Sequence, residues 1–408
     1  MKTFLLRKGQ HPFLLSLLLI SASFLFLSCD ESGLVGSSMI DDPPAVHSDT
    51  LDIPATEELS ITAFSGNETY FSAGLYDDPL FGMQEIIGMV NPSLSVQGVD
   101  SIGQEASGYL KLYIDQVYGD SNAVAEFDLI EIGRRWRAPA WRQDSIPVLT
   151  NNIVASFQVT SNDSILIPLD QEWFNRYGDY FRSTSANRDS LYRQNMYGLA
   201  LVPKNEAKIL SFESGLTQLV IDNHEPPGTD EDDPEPGIFR QLMRATGFSI
   251  NREEIPEYDG RTAVLNTFEN TFRLRFNVTE EFIGSRNISR TELVLYEDTT
   301  AMQNLPAGHN RIKAHELNVY YLDENETERA VLKDSDLVMV RNEDDHSFRV
   351  NLTNYVNANL VGTMDERDFY VIVRGNNGRI IPTLLYNETS EERRPRILIT
   401  RVNPEINE

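Results

Sequence analysis

The chain has 408 residues, 40% of them hydrophobic and 10% aromatic, which is length enough for two buried cores. Its 62 acidic residues outnumber 35 basic ones, for a formal net charge of −27. Such a chain repels phosphate backbones and anionic lipid surfaces, which tells against nucleic acid as a partner and leaves a solvated, acidic exterior.

In chain order, the first element is a leader. Lys2, Arg7 and Lys8 form a basic start, and the apolar run from Phe13 to Leu27 follows. That run falls short of the roughly 20 residues a membrane-spanning helix needs, and it has the parts of a secretory signal. Cys29, the only cysteine, comes directly after small Ser28. A single cysteine cannot form an intrachain disulfide, so stability has to come from packing. Phe26-Leu27-Ser28-Cys29 resembles the lipobox of bacterial lipoproteins, with Phe26 in place of the usual leucine. The resemblance implies that residues 1–28 are a signal peptide and that Cys29 carries the lipid, with two acyl chains as stable anchoring requires. Residues 29–48 are polar, acidic and Gly/Ser/Pro-containing, and predict a flexible tether. Asp30 and Glu31 resemble the acidic export tag of Bacteroidota surface lipoproteins, which implies an outer-membrane lipoprotein displayed on the cell surface.

Beyond the tether the pattern is short strands separated by turn residues. Residues 70–88, YFSAGLYDDPLFGMQEIIG, predict two strands joined by turn chemistry at Asp77-Asp78-Pro79. Residues 107–119 alternate through Leu110, Leu112 and Ile114, and further strands are expected at 153–159, 164–169, 197–203, 208–214 and 217–222. Two stretches predict short helices, 171–182 and 352–362. Residues 222–237 hold seven acidic residues and four prolines, which predicts an interdomain linker or a long solvated loop. A tight calcium loop is the weaker alternative there, since the alternating Asp pattern is missing. Strands resume at 270–278, 290–298, 315–323, 347–356, 368–375 and 394–402.

The order strand, helix, three strands occurs once on each side of 222–237, and GYLKLYIDQVYGD pairs with TELVLYEDTT. Two copies of one unit of about 170 residues would account for the length and the central acidic stretch together. The fold expected is all-β, two jelly-roll-like β-sandwich domains in tandem with few short helices. The first spans 49–221, the second 238–402, and 403–408 is a C-terminal tail.

Leu274, Arg275, Phe276 and Asn277, followed by Leu293, Leu295 and Tyr296, resemble the opening strands of DNRLRE-type β-sandwiches, also classed as carbohydrate-binding modules. Leu110, Leu112 and Tyr113 match the second of those strands in the first copy, and Trp136 and Trp141 fall where such domains carry paired tryptophans before a proline, here Pro147. Residues 70–88 are similar to a Bacteroidota lipoprotein group of unknown function that carries a G-x-Y-D-D-P-x-F-G stretch. Six tripeptides, beginning at Asp49, Asp100, Asp144, Asp163, Asp189 and Asp298, resemble the O-glycosylation acceptor of Bacteroidota secreted proteins.

No catalytic set stands out, and neither a metal site nor a cofactor is expected. His309 and His315 are six residues apart with no paired metal spacing, and surface positions are expected for the scattered histidines. No nucleophile elbow, P-loop or dinucleotide fingerprint occurs. A glycosidase carboxylate pair is defined by distance in space, so spacing in sequence does not speak to it. One segment is both basic and aromatic: GRRWRAPAWRQD, 133–144. Trp136 and Trp141 are candidates to stack on sugar rings, and Arg134, Arg135, Arg137 and Arg142 to grip carboxylates, as in an acidic polysaccharide. The competing reading has the tryptophans packed on a core edge and the arginines balancing nearby acids. The expected role is non-catalytic binding by a lipid-anchored envelope protein, with polysaccharide as ligand. The alternatives are a structural or adhesion module contacting another envelope protein and, behind it, a glycan hydrolase.

Overall fold

The computed structural model describes residues 45–403, except 54, 61–62, 95–101, 104, 161, 184, 224–236, 254, 268–269, 276–287, 323–331, 361–368 and 374–376. The leader with Cys29, the tether up to residue 44, the body of the acidic 222–237 stretch, Phe276, Asn277 and residues 404–408 lie outside the described residues.

The chain enters with β1 (Ala45–Asp52) and β2 (Ala55–Leu59). Next come β3 (Tyr70–Asp78), β4 (Gly82–Pro92), β5 (Ser107–Asp120), β6 (Ala125–Ile132), β7 (Leu149–Val159) and β8 (Ser164–Pro168). Two helices, α1 (Gln171–Arg182) and α2 (Arg188–Asn195), lead into β9 (Leu199–Pro203), β10 (Lys208–Glu213), β11 (Gln218–Asp222) and the long β12 (Ile238–Arg252). The second half runs β13 (Arg261–Leu265), β14 (Thr271–Arg275), β15 (Ile288–Tyr296), α3 (Thr299–Gln303), β16 (His309–Asn310), β17 (Glu316–Leu322) and β18 (Leu332–Arg341). It closes with β19 (Ser347–Asn351), α4 (Thr353–Leu360), β20 (Phe369–Val373), β21 (Pro382–Tyr386) and β22 (Arg396–Asn403). The protein is all-β in the sense expected, built from large antiparallel sheets with four short helices among the described residues.

Period-two alternation explains the strands. On β5, Leu110 and Leu112 are fully buried while Tyr109, Lys111 and Tyr113 are half-exposed. Asp170 caps α1 by accepting a 2.9 Å hydrogen bond from the Trp173 N–H, and Trp173, Phe174, Tyr177 and Phe181 share its buried face. Those side chains join Phe71, Phe127, Leu210 and Phe212 in the larger core. The smaller core is drawn mainly from the nine-stranded sheet, with Phe272, Leu293, Leu295, Val319 and Phe348, and takes in Val264 and Leu385 from the β13–β21 pair.

The two copies read in the sequence have matching neighbours. β5 lies between β8 and β11, with Leu110 opposite Ile167 and Leu219. β15 lies between β19 and β22, with Leu293 opposite Val350 and Ile397. The segments that precede each copy differ from the expected division. β12, which follows the acidic stretch, belongs to the eleven-stranded sheet that also holds β3 to β11: it pairs with β11 and then, past a bulge, with β4. β1 and β2, which open the chain, belong to the other sheet, where they pair with β22 and β14. Residues 45–48 are thus strand and not tether. The ends of the acidic stretch are held together, Asp222 opposite Ile238 and the Asn223 N–H on the Gly237 carbonyl at 2.8 Å. It connects a hairpin and does not link separate bodies.

The halves also touch directly. The loop before β21 lies on the start of β3, where a Cβ at Gly378 (φ 96°) would come within 1.8 Å of the Tyr70 carbonyl oxygen, so only glycine fits. Beside it the Arg379 guanidinium covers the Tyr70 ring and makes two bonds to Asp115, at 2.6 and 2.8 Å.

Candidate functional site

The loop 133–148 leaves the end of β6, turns through a single 3-10 turn at Ala138–Ala140, and returns as β7. It is pinned from below. The Ser65 N–H bonds the Trp141 carbonyl, Gln143 donates to Ala63 and accepts from the Ile250 N–H, and Gly66 approaches Ala138 so closely that any Cβ would collide. The two tryptophans meet edge to face, centroids 5.8 Å apart. Trp136 donates its indole N–H to the Tyr197 carbonyl at 2.8 Å and Trp141 to Ser249 Oγ at 3.3 Å. Both rest on a small apolar cluster of Met89, Ile132 and Ala200. The core-edge reading therefore describes one face of each ring. Both rings remain half-exposed and help wall a pocket of about 280 Å³ that also involves Arg134, Arg135, Ile146 and Pro147.

The candidate arginines separate into two groups. Arg134 and Arg135 line this pocket; Arg137 and Arg142 do not. Arg142 makes a two-bond pair with Asp144, at 3.0 and 2.6 Å, and that carboxylate raises its pKa. Arg137 is exposed.

A second hollow of about 550 Å³ lies across the end of β6, sharing Ile132 with the first. Its wall is amide, guanidinium and phenol: Asn151, Asn152, Arg176, Asn195 and Tyr197, around Glu131. Glu131 is buried and fully engaged. It accepts from the Tyr177 hydroxyl, from Arg176 Nη1 at 3.1 Å and from Asn152 Nδ2 at 3.0 Å. Burial, then the bond to Glu131, push the Tyr177 phenol well above its ordinary range. A carboxylate held by three donors orients its partners and is poorly placed to exchange protons with a substrate. Tyr197 joins the two hollows, since it lines one and its carbonyl holds Trp136 in the other.

A third polar cluster sits away from both. Asp78, in the Y-D-D-P stretch, is completely buried and does more than turn the chain. Its Oδ1 accepts from the N–H groups of Leu80 (2.8 Å) and Phe81 (3.1 Å), and Tyr118 donates to its Oδ2 at 2.5 Å. Arg311, from the second half, bonds both oxygens at 2.7 Å and lies over the Phe81 ring. His309 completes the cluster, Nδ1 at 2.7 Å from the Tyr76 hydroxyl. Its side chain is 1% exposed, which corrects the surface position expected of it; His315, at 69%, is on the surface. His309 is buried because β16 pairs with the end of β5. Among the described residues no three His, Cys, Asp or Glu side chains are grouped so as to hold a metal ion, and no helix is long and apolar enough to cross a membrane.

No family model and no curated protein matches the chain. Among solved structures, the C-terminal domain of the Streptococcus pyogenes antigen I/II-family protein AspA is similar at 9% identity, over 82% of this chain and 92% of that one, with a TM-score of 0.15. The C-terminal domain of the Streptococcus agalactiae AgI/II polypeptide BspA is similar at 7% identity, over 82% and 91%, with a TM-score of 0.14. A likeness this slight carries no argument about fold or function.

Proposed function

We propose that this chain is a lipid-anchored envelope protein that binds polysaccharide without cleaving it. The observation that carries this reading is the pair of adjoining hollows at the end of β6. One offers half-exposed indole faces with Arg134 and Arg135 beside them; the other offers Asn151, Asn152, Asn195 and Arg176. Aromatic faces and planar polar groups are what sugar rings and hydroxyls require, and a shallow surface spanning two hollows suits a polymer better than a small molecule. Glu131, the buried acid of the second, is committed to three donors, which favours binding over hydrolysis.

Affinity electrophoresis of the full-length protein in gels cast with neutral and acidic polysaccharides tests the reading. Retention is expected in at least one gel, and Asn151→Ala with Arg134→Ala, both exposed, should reduce it without lowering the thermal midpoint. No retention in any gel overturns it, and sugar release from the same polymers would revive the hydrolase. The anchor is tested separately. Cys29→Ser should abolish labelling by an alkyne fatty acid, and protease treatment of intact cells should remove the folded domains if they face outward.

One observation favours the alternative of a protein partner. β7 is the last strand of its sheet and, among the described residues, pairs with β6 alone. Its pairing with β6 is bulged, but it carries no charged residue and no proline, two of the devices that blunt an edge, and Ile153 is 51% exposed on it. An extended segment of another envelope protein could add there as a strand. Cross-linking in cells from a photoreactive residue at 153 should then capture one dominant protein.

A further inference from the structure

We infer that Arg244, together with Arg135, forms a subsite for the anionic group of an acidic saccharide, a uronate carboxylate or a sulfate ester; this rests on the polysaccharide reading. Arg244 is the extra residue of the bulge in β12, between Met243 opposite Pro92 and Ala245 opposite Asn91. Bulges re-aim a side chain out of the regular ladder, and here the re-aimed residue is a guanidinium. It is half-buried, and its Nη1 is buried without a hydrogen-bond partner. In a chain with 62 acidic residues, no carboxylate among the described residues comes within ion-pair distance of it. Its charged neighbours make matters worse. Burial lowers its pKa, and Arg193 and Arg135 lower it further; Tyr192 and Asp189 act the other way, but Asp189 is already paired with Arg193 at 2.7 Å. Arg244 is thus a guanidinium without a carboxylate partner, with the positive charge of Arg193 and Arg135 adding to its own, a setting that favours an anion.

The place also matches a sugar. β12 runs beneath the first hollow, where a Cβ at Gly247 would lie 3.3 Å from Trp136 Cζ3, and Arg135 lines that hollow. Asn91, opposite Ala245 beside the bulge, gives its Nδ2 to the Tyr197 carbonyl and leaves its Oδ1 buried without a partner. Arg244 as a whole is only half-buried, so an oxyanion on a saccharide can approach its guanidinium. The half-exposed indole supplies the apolar wall.

The test is calorimetric titration of the full-length protein in detergent with three oligosaccharides: an oligogalacturonate, a sulfated oligosaccharide and a neutral one of equal length. At least one anionic oligomer is expected to bind more tightly than the neutral one, with affinity falling as salt rises. Arg244→Met should weaken that binding at least tenfold, leave any neutral binding unchanged, and not lower the thermal midpoint, since it removes an unpaired buried charge. Should Arg244→Met fail to fold, Arg135→Met, in the exposed loop, should likewise weaken anionic binding at least tenfold. Preference for uronate or for sulfate decides which anion the site takes. Equal affinity for neutral and anionic oligomers, or anionic binding that neither substitution weakens, overturns the subsite and leaves the polysaccharide reading standing. Binding of none of the three overturns both.

Discussion

Arg311→Met removes the cation from the buried cluster that joins the two halves. Asp78 and Arg311 expose 0% and 3% of their side chains, so the pair is not the weak surface kind, worth about 0–1 kcal/mol. After the substitution Asp78 keeps the Tyr118 hydroxyl and two backbone N–H groups, but its charge has no counterion. Removing one partner of a buried pair costs about 3–5 kcal/mol, and three remaining donors place this case toward the lower end. Asp78→Asn should cost a similar amount, because Arg311 is then the uncompensated charge. The double variant should cost clearly less than the sum, with a coupling of about 2 kcal/mol or more. Arg311→Lys should rescue little, since one ammonium cannot make both 2.7 Å bonds. The assay is urea unfolding followed by tryptophan fluorescence and circular dichroism together. All three tryptophans lie in the first half, so fluorescence reports that half and dichroism both. A loss below about 1 kcal/mol for Arg311→Met, or additive single effects, would refute the idea that this cluster holds the halves together.

The same cluster sets a pH dependence. Burial, then Arg311, lower the His309 pKa below 6.5, against the opposing pull of Asp78 and Asp120. The unfolded chain then binds the proton more readily, so stability should be full above about pH 6.5 and fall as the pH drops toward the depressed value. His309→Asn should flatten that part of the urea-midpoint profile; an unchanged slope would remove His309 as its cause. On the alkaline side, burial followed by Asp78 raises Tyr76 to about 12, and the same two causes raise Tyr118 further. Their contribution is present below the unfolded value near 10 and lost as pH rises through the folded values. Absorbance titration at 295 nm should show these phenols ionising only as the protein unfolds. In the second hollow, Tyr177→Phe should cost about 1–2 kcal/mol by taking one donor from buried Glu131, and circular-dichroism melts would register it.

What the sequence revealed, and what it concealed, divides by the range of the interaction. Alternation at Leu110 and Leu112 marked β5, and the stretch 171–182 was legible as the helix α1, whose buried Trp173, Phe174, Tyr177 and Phe181 follow the helical period. The tryptophan loop was legible as composition: basic and aromatic residues in an acidic chain. Its two arginine groups were not, since Arg142 is taken by a neighbour two residues away while Arg135 faces a hollow. Glu131 with Tyr177 and Asp78 with Arg311 bring together residues 46 and 233 apart, and no spacing rule connects them. His309 looked like a surface histidine because it sits among glycine, proline and asparagine with no apolar period around it.

The acidic stretch 222–237 left a linker and a long solvated loop both open, for an instructive reason. Its composition forbids a buried strand, which is true of a linker and equally true of a hairpin connection; the strands on either side decide between them. The structure therefore predicts what a cut there would do. A specific protease site placed at 229–233 should be cleavable, yet the two fragments should remain together. The first fragment keeps β1 and β2, which pair along β22 and β14 of the second. The second keeps β12, which pairs along β11 and β4 of the first. Each fragment would have to leave strands behind in the other's sheet, besides breaking the Asp78–Arg311 contact. Size-exclusion chromatography of nicked protein should show one peak at the intact position until denaturant is added. Two separate folded fragments would mean that the strands exchanged between the halves contribute little, and that the acidic stretch is the boundary its composition suggested.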